Sequence, residues 1–411
     1  MPRRPTRGRI VLVVAIVLIA LLAGLLRWAS RPQQVANLVL SQASRALGLR
    51  ITAKGASEYT LRGTPKLVLR DVTAQRDGDA TPVLTAHRLL LSVPWSTLKS
   101  RGADLTVHRV ELERPSLDIA ALQRWLTTRP PTPKRPVPTL TDGLLVTDGG
   151  ISGEGWTIEG LRANVPRLAP GRPVRAALVG RVLAGDTTMP FDLAATLARP
   201  EMPAGLGVAG KLVVERPQWR LPLDLVLRGR PALTRGVALD AMVMRAKAHY
   251  AAASIDLPFD LGLAGDARYA QGLHIAPFGL ALRQGREIPD MRGGGTLDWT
   301  TTLALQLEGR ITHWPAGWPA LPAPIGRPAG PLPTQLHYDG PTDLSGETSL
   351  RLASGVSRFE GRFRLPRVLA WLDTPARGTP LPPLDGHVST PRLDIPGAKL
   401  EGVDVEFRDD D

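Results

Sequence analysis

The chain has 411 residues, enough for a sizeable core and for one to three domains. Its 41 glycines and 39 prolines are spread along the sequence, which suits many short strands joined by turns and argues against an architecture of long helices. It has no cysteine, so disulfide frameworks and thiolate metal sites are excluded. The formal charge of +13 is unevenly placed: Arg3, Arg4, Arg7, Arg9, Arg27, Arg31, Arg45, Arg50 and Lys54 all precede the first acidic residue, Glu58, leaving +4 over the other 354 residues. That nearly balanced body carries no Lys/Arg stripe interleaved with aromatics, which argues against nucleic acid as a partner.

Residues 1–9 read as a basic tail and residues 10–28 as a transmembrane anchor. Ile10 to Leu26, centred on Leu18, is an unbroken run of 17 uncharged residues, at the short end of what crosses a hydrocarbon core. Trp28 follows as an interfacial ring. Arg3, Arg4, Arg7 and Arg9 place the tail in the cytoplasm and residues 28–411 on the far side of the membrane. A cleaved leader is the competing reading. The length of the run, and Arg27 with Arg31 where a small-residue cleavage site belongs, favour an uncleaved anchor.

The spacing predicts an amphipathic helix over 32–48, begun by Pro32 and stopped by Gly48, with Val35, Leu38, Val39, Ala43, Ala46 and Leu47 on one face. The period then switches to two, and strands are expected from 49 to 125. PPTPKRPVP at 130–138, the heart of a 129–139 linker, holds five prolines and reads as extended chain. Residues 140–313 read as a repetitive sheet region. MPFDLAATL at 189–197, LPLDLVLRG at 221–229 and LPFDLGLAG at 257–265 recur at spacings of 32 and 36 residues, which fits a repeating multi-strand unit.

Strict apolar alternation marks Leu223, Leu225 and Leu227, then Leu303, Leu305 and Leu307, as one face of antiparallel strands whose other face is solvated. Residues 314–333 carry seven prolines with Trp314 and Trp318 and read as a loop whose tryptophans pack back on the sheet. In the C-terminal strands, 334–411, the apolar positions are Phe359, Gly361, Phe363 and Leu365, then Val403, Val405 and Phe407.

The sequence offers little for chemistry. Its seven histidines lie far apart, with no H-E-x-x-H and no phosphate loop, and GGISGEG at 149–155 lacks the spacing of a nucleophile elbow. No catalytic, cofactor-binding or metal-ligating residue is assigned, and no enzymatic activity is expected.

The first 130 residues resemble the N-terminal region of AsmA-like proteins. The resemblance rests on Ala46-Leu47-Gly48 with the strand after it, on Pro65, Leu67, Leu69 and Val72, and on Leu84, Ala86, Leu89, Leu91 and Val93. It continues through Leu105, Val110, Leu112, Pro115, Leu117, Asp118 and Ile119, and residues 384–407 are similar to strand pairs late in such proteins. The resemblance implies a chain anchored in the bacterial inner membrane with its bulk in the periplasm. It implies a mainly β fold: a transmembrane helix and an amphipathic helix, then an elongated, curled, mostly antiparallel β-sheet with an apolar groove. Phospholipid acyl chains would move along that groove in support of outer-membrane biogenesis, with membrane lipid, the inner membrane and envelope proteins as partners and no cofactor. Taken alone, the Leu- and Val-rich inward positions suit acyl chains and a closed core equally. A membrane-anchored periplasmic scaffold or assembly factor for outer-membrane or secretion machinery, carrying no lipid, is therefore the alternative.

Overall fold

The computed structural model describes residues 40–41, 43–45, 47–60, 64–94, 97, 106–128, 137–200, 204–233, 237–252, 255–269, 272–283, 288–315, 330–373, 383–395 and 398–408. The basic tail with Arg3, Arg4, Arg7 and Arg9, the anchor with Ile10, Leu18 and Leu26, most of both proline-dense stretches, and Trp318 lie outside them. Among the described residues no helix is long and apolar enough to cross a membrane. The fold is mainly β, with a large curled sheet and few helices. It divides into two compact units, residues 1–152 and 153–411.

The first unit contains β1 (Arg50–Thr52), β2 (Gly55–Thr60), β3 (Lys66–Gln75), β4 (Leu84–Ser92), β5 (Thr106–Val107), β6 (Arg109–Asp118), α1 (Ile119–Thr127), β7 (Thr139–Leu140) and β8 (Leu144–Gly153). β3 is central: β1 and β2 pair along its two halves, β4 runs along its other edge, β6 follows β4, and β8 runs parallel to β6. Ahead of β1, residues 40–41, 43–45 and 47 are helical. Gly48, at φ 60°, then turns the chain into the left-handed region that ends helices, and the Leu49 N–H donates to the Ser44 carbonyl at 3.2 Å.

The strand run expected to continue to 125 stops at Asp118 instead. There the carboxylate accepts a 2.7 Å hydrogen bond from the Ala121 N–H and so caps the first turn of α1. Ala121, Leu122 and Trp125 then share a helix face and pack on Leu49, Ala74 and Val83. A second cluster joins Leu67, Leu69, Val72 and Ala86 to Leu40 and Ile51. Leu69 and Ala121 are both 0% exposed, so this unit covers its sheet with its own helices.

The second unit runs β9 (Trp156–Val165), β10 (Val174–Ala184), β11 (Thr187–Leu197), β12 (Leu206–Arg216), β13 (Trp219–Leu233), β14 (Val237–Ala252), β15 (Ile255–Tyr269) and β16 (Leu273–Arg283). It continues through β17 (Asp290–Trp299), β18 (Thr302–His313), β19 (Leu332–Pro341), β20 (Glu347–Ser354), β21 (Ser357–Arg364), α2 (Leu365–Asp373), β22 (Leu384–Ile395) and β23 (Ala398–Phe407). Every strand here pairs antiparallel with the next, a meander of local hairpins. The three repeated segments fall on β11, β13 and β15, so the repeating unit is one two-strand hairpin. Leu365, the expected end of an alternation, is instead the first residue of α2, with Pro366 in the first turn, where a missing N–H goes unnoticed.

Two devices curl this sheet. Register shifts interrupt the pairing at Val179/Arg181, Arg228/Arg230, Leu239/Met242, Gly265/Ala267, Ile275/Phe278 and Asp290/Met291, and bulges of this kind add twist and bend. Backbones also approach closely at Gly295, where a methyl group would sit 1.8 Å from the Gln306 carbonyl oxygen. The outcome is visible in one contact. Trp156 begins β9 and Tyr269 ends β15, six pairings away, which in a flat sheet is roughly 29 Å across the strands at about 4.8 Å each, before any offset along them is counted. Their ring centroids are 6.0 Å apart.

Candidate functional site

Because side chains alternate between faces, residues joined by register form rows that cross the strands on a single face. One such row in the second unit runs Ala176, Ala195, Val208, Leu227, Met244, Leu263, Leu280, Gly293, Gly309, Thr334, Leu352, Phe359, Val388, Val405. It crosses β10 to β23, roughly 60 Å at about 4.8 Å per strand, without a charged residue. The Thr334 hydroxyl, the polar exception, donates to the Leu332 carbonyl at 3.0 Å and is withdrawn from the surface. The next row includes Leu193, Leu225, Leu261, Leu282, Met291, Ile311 and Leu332. Another joins Met242, Phe278, Leu307, Leu336 and Leu350 to Phe407, through glycines at every β-strand between that lacks a large side chain.

All eleven residues singled out from alternation lie on this face. Leu225, Leu227, Leu307, Phe359, Val405 and Phe407 belong to the three rows above. Leu305 lies in a row with Tyr338, Thr348 and Phe363. Leu223 lies beside Leu212 and Ala248, Leu303 opposite Trp299, and Val403 opposite Thr390. Their burial differs: Leu225, Leu307 and Val403 are buried, whereas Val405 on the last strand is 45% exposed. Phe359 and Phe407 stack at 6.3 Å, with Gly386 beneath the Phe407 ring.

From β14 to β20 the rows close on one another: Met242, Ile275, Phe278, Met291, Leu307, Ile311, Leu332 and Leu352 form one buried cluster, against which Trp314 packs. From β9 to β13 most large side chains on this face are only half-buried. The outer face is the electrostatic opposite. Register places Asp192, Lys211, Asp224, Lys247, Asp260 and Arg283 in one transverse line of alternating sign over β11 to β16. The shared Asp of the three repeats supplies its acidic members.

One pair of side chains on this face escaped the sequence. Trp156 stands two residues before Ile158, which register carries through Val182 to Met189 on the apolar face; Tyr269 stands two residues after Ala267 on the same face. They meet across its concavity, edge to face, with the indole N–H donating to the Tyr269 oxygen at 2.5 Å. An aromatic contact and one hydrogen bond are together worth about 1–3 kcal/mol. A link of that size corresponds to roughly 5- to 150-fold in an equilibrium constant. No local signal marks residues 113 apart in sequence as partners.

Among the described residues the titratable groups do not assemble a reaction centre. Five histidines lie beside aspartates: His87 by Asp71 at 3.3 Å, His108 by Asp142 at 4.0 Å, His249 by Asp256, His274 by Asp298 and His387 by Asp404. All stand at solvent-accessible positions, where such pairs contribute about 0–1 kcal/mol. His108 faces Thr141 at 2.7 Å through the same Nδ1 that faces Asp142, so it cannot relay a proton from one to the other. Among the described residues no three His, Cys, Asp or Glu side chains converge as a metal site. Tyr250, tilted against Trp219 at 5.7 Å, has its phenol pushed above the usual range by burial, so its hydroxyl stays neutral. No protein-family description, curated protein or solved structure matches the chain.

Proposed function

We propose that this chain is an inner-membrane-anchored periplasmic protein of the AsmA-like type, and that the apolar face of its second unit holds phospholipid acyl chains and passes them along, in support of outer-membrane biogenesis. The observation that carries this reading is the uncharged row from Ala176 to Val405, crossing fourteen successive strands of one sheet. Soluble monomers seldom expose more than a few hundred Å² of contiguous apolar surface, so a face this long needs an occupant wherever its own side chains do not fill it. Leu and Val lining offers dispersion and no hydrogen bonds, which suits saturated chain and leaves a headgroup in water. The alternative, a scaffold without lipid, draws on the buried cluster between β14 and β20, where side chains already satisfy one another.

Photocrosslinking in cells separates the two. A benzophenone amino acid replaces Leu223 on the apolar face or, as control, Val226 on the outer face, which is 48% exposed. Phospholipid adducts found by mass spectrometry at position 223 and not at 226 are expected. Equal yields, or none at either position, would leave the scaffold.

A further inference from the structure

We propose that Trp156 and Tyr269 form a gate across the open side of the β9–β15 segment, and that an acyl chain enters that segment only when the two rings part. The inference deepens the lipid-path reading and rests on it. Seven strands separate the two ring positions inclusively, yet the rings touch at 6.0 Å. A turn of sheet that returns to itself after seven strands belongs to the size class whose interior is filled by side chains or holds one slim ligand. The segment behind the rings is therefore gauged for a single chain rather than a lipid pair. Its mouth is not sealed by backbone pairing: β9 pairs with β10, and β15 with β14 and β16. Two side chains span it, held by one hydrogen bond of 2.5 Å and one ring edge. Their chemistry also suits the position, because an indole and a phenol that part present apolar rings to a passing chain and polar tips to water. Gly153 sets the Trp156 rotamer: a methyl there would lie 2.2 Å from Cε2 of the indole, so the ring occupies the space a side chain would take.

The full chain, anchored in donor vesicles of phosphatidylethanolamine and phosphatidylglycerol with NBD- and rhodamine-labelled phosphatidylethanolamine, reports transfer to unlabelled acceptor vesicles as NBD dequenching. Tyr269→Phe removes the acceptor oxygen and keeps the ring. Its initial rate should rise roughly threefold to tenfold, the factor by which one ordinary hydrogen bond shifts an equilibrium. Gly153→Ala, which displaces the indole, should act in the same direction. Because the chain has no native cysteine, Trp156→Cys with Tyr269→Cys can be bridged uniquely by a reductant-cleavable bismaleimide. The bridged protein should fall to the protein-free rate and recover on reduction.

A pair that merely clasps the curl would alter hydrogen-exchange protection of β9 and β15 without this rate pattern. If wild type transfers lipid and neither Tyr269→Phe nor the bridge changes its rate, the gate is wrong and the lipid path stands. Transfer by the opened variants alone supports a gate that rests closed. If no form exceeds the protein-free rate, the lipid path fails and the gate falls with it.

Discussion

The two units solve the same problem in opposite ways. In the first, a short sheet is covered by the chain itself: α1 lays Ala121, Leu122 and Trp125 over Leu49, Ala74 and Val83, and Leu69 is fully enclosed. In the second, a far longer meander curls its apolar face inward, yet Leu223, Leu227, Phe359 and Phe363 remain only half-buried. Closing a core with a helix requires a cap, here Asp118, and a matched face. Closing one by curl requires bulges and glycines repeated along the sheet, and leaves a concavity whose width depends on how far the curl goes. The comparison teaches that alternation alone does not make a core. What differs is whether the apolar positions meet one another or face a space.

An aspartate on each apolar face breaks this comparison most forcefully. Leu69→Asp places a carboxylate at a site with 0% exposure and no partner, so it should destabilise the first unit by more than about 4 kcal/mol and collapse hydrogen-exchange protection of β3 and β4. Phe363→Asp, on a half-buried position reached by water, should lower protection of β20 to β22 by less than about 2 kcal/mol. Equal losses at the two sites would mean that the second unit is a closed core like the first.

Alternation in sequence made the strands of the second unit legible, together with the facing of Leu223 to Leu227, Leu303 to Leu307 and Val403 to Phe407, because a period of two is a local property. It did not reveal where alternation stops. Asp118 reads as one more strand residue until its carboxylate is seen capping α1, and Leu365 continues the beat of Phe359 and Phe363 while starting α2. Bulges hide in the same way: between Leu239 and Met242 the inward parity changes from odd to even, which a strict period of two excludes. The Trp156–Tyr269 contact was beyond local reading altogether, since it is a consequence of accumulated curl.

That curl can be probed at Gly295, where β17 passes close to β18. Adding a methyl group would drive it to 1.8 Å from the Gln306 carbonyl oxygen, which is backbone and cannot swing aside. Gly295→Ala should cost about 2–3 kcal/mol, in the range of overpacked cores, and should loosen the amides of β17 and β18 selectively. A glycine at an exposed turn of the first unit gives the contrast: Gly78, with open space around its Cα, also sits at φ 86°, so Gly78→Ala pays only for backbone strain, about 1 kcal/mol. If the two substitutions cost the same, close approach of backbones is not what bends the sheet.

A small, salt-dependent effect is expected on the outer face, in the line Asp192, Lys211, Asp224, Lys247, Asp260, Arg283. Directly opposed residues on neighbouring strands have Cβ atoms about 4.5–5.5 Å apart, and opposite charges there contribute roughly 0.2–1 kcal/mol per pair. Lys211 stands between two aspartates, so Lys211→Glu replaces two attractions with two repulsions, at a total cost of about 1–2 kcal/mol in low salt. Screening shortens to about 3 Å in 1 M salt, so most of that cost should vanish there. Inverting the other five as well, with Asp192→Lys, Asp224→Lys, Lys247→Glu, Asp260→Lys and Arg283→Glu, restores the alternation and should recover the wild-type denaturation midpoint. The repeat places an aspartate at this height on every second strand, and a slip of one residue would carry the carboxylates to the apolar face. The line therefore opposes register slips in a meander whose inner positions are mostly interchangeable Leu and Val. Recovery by the fully inverted variant, together with loss of the effect in high salt, would establish that role; a Lys211→Glu midpoint that matches wild type at both ionic strengths would reduce the line to solvated surface.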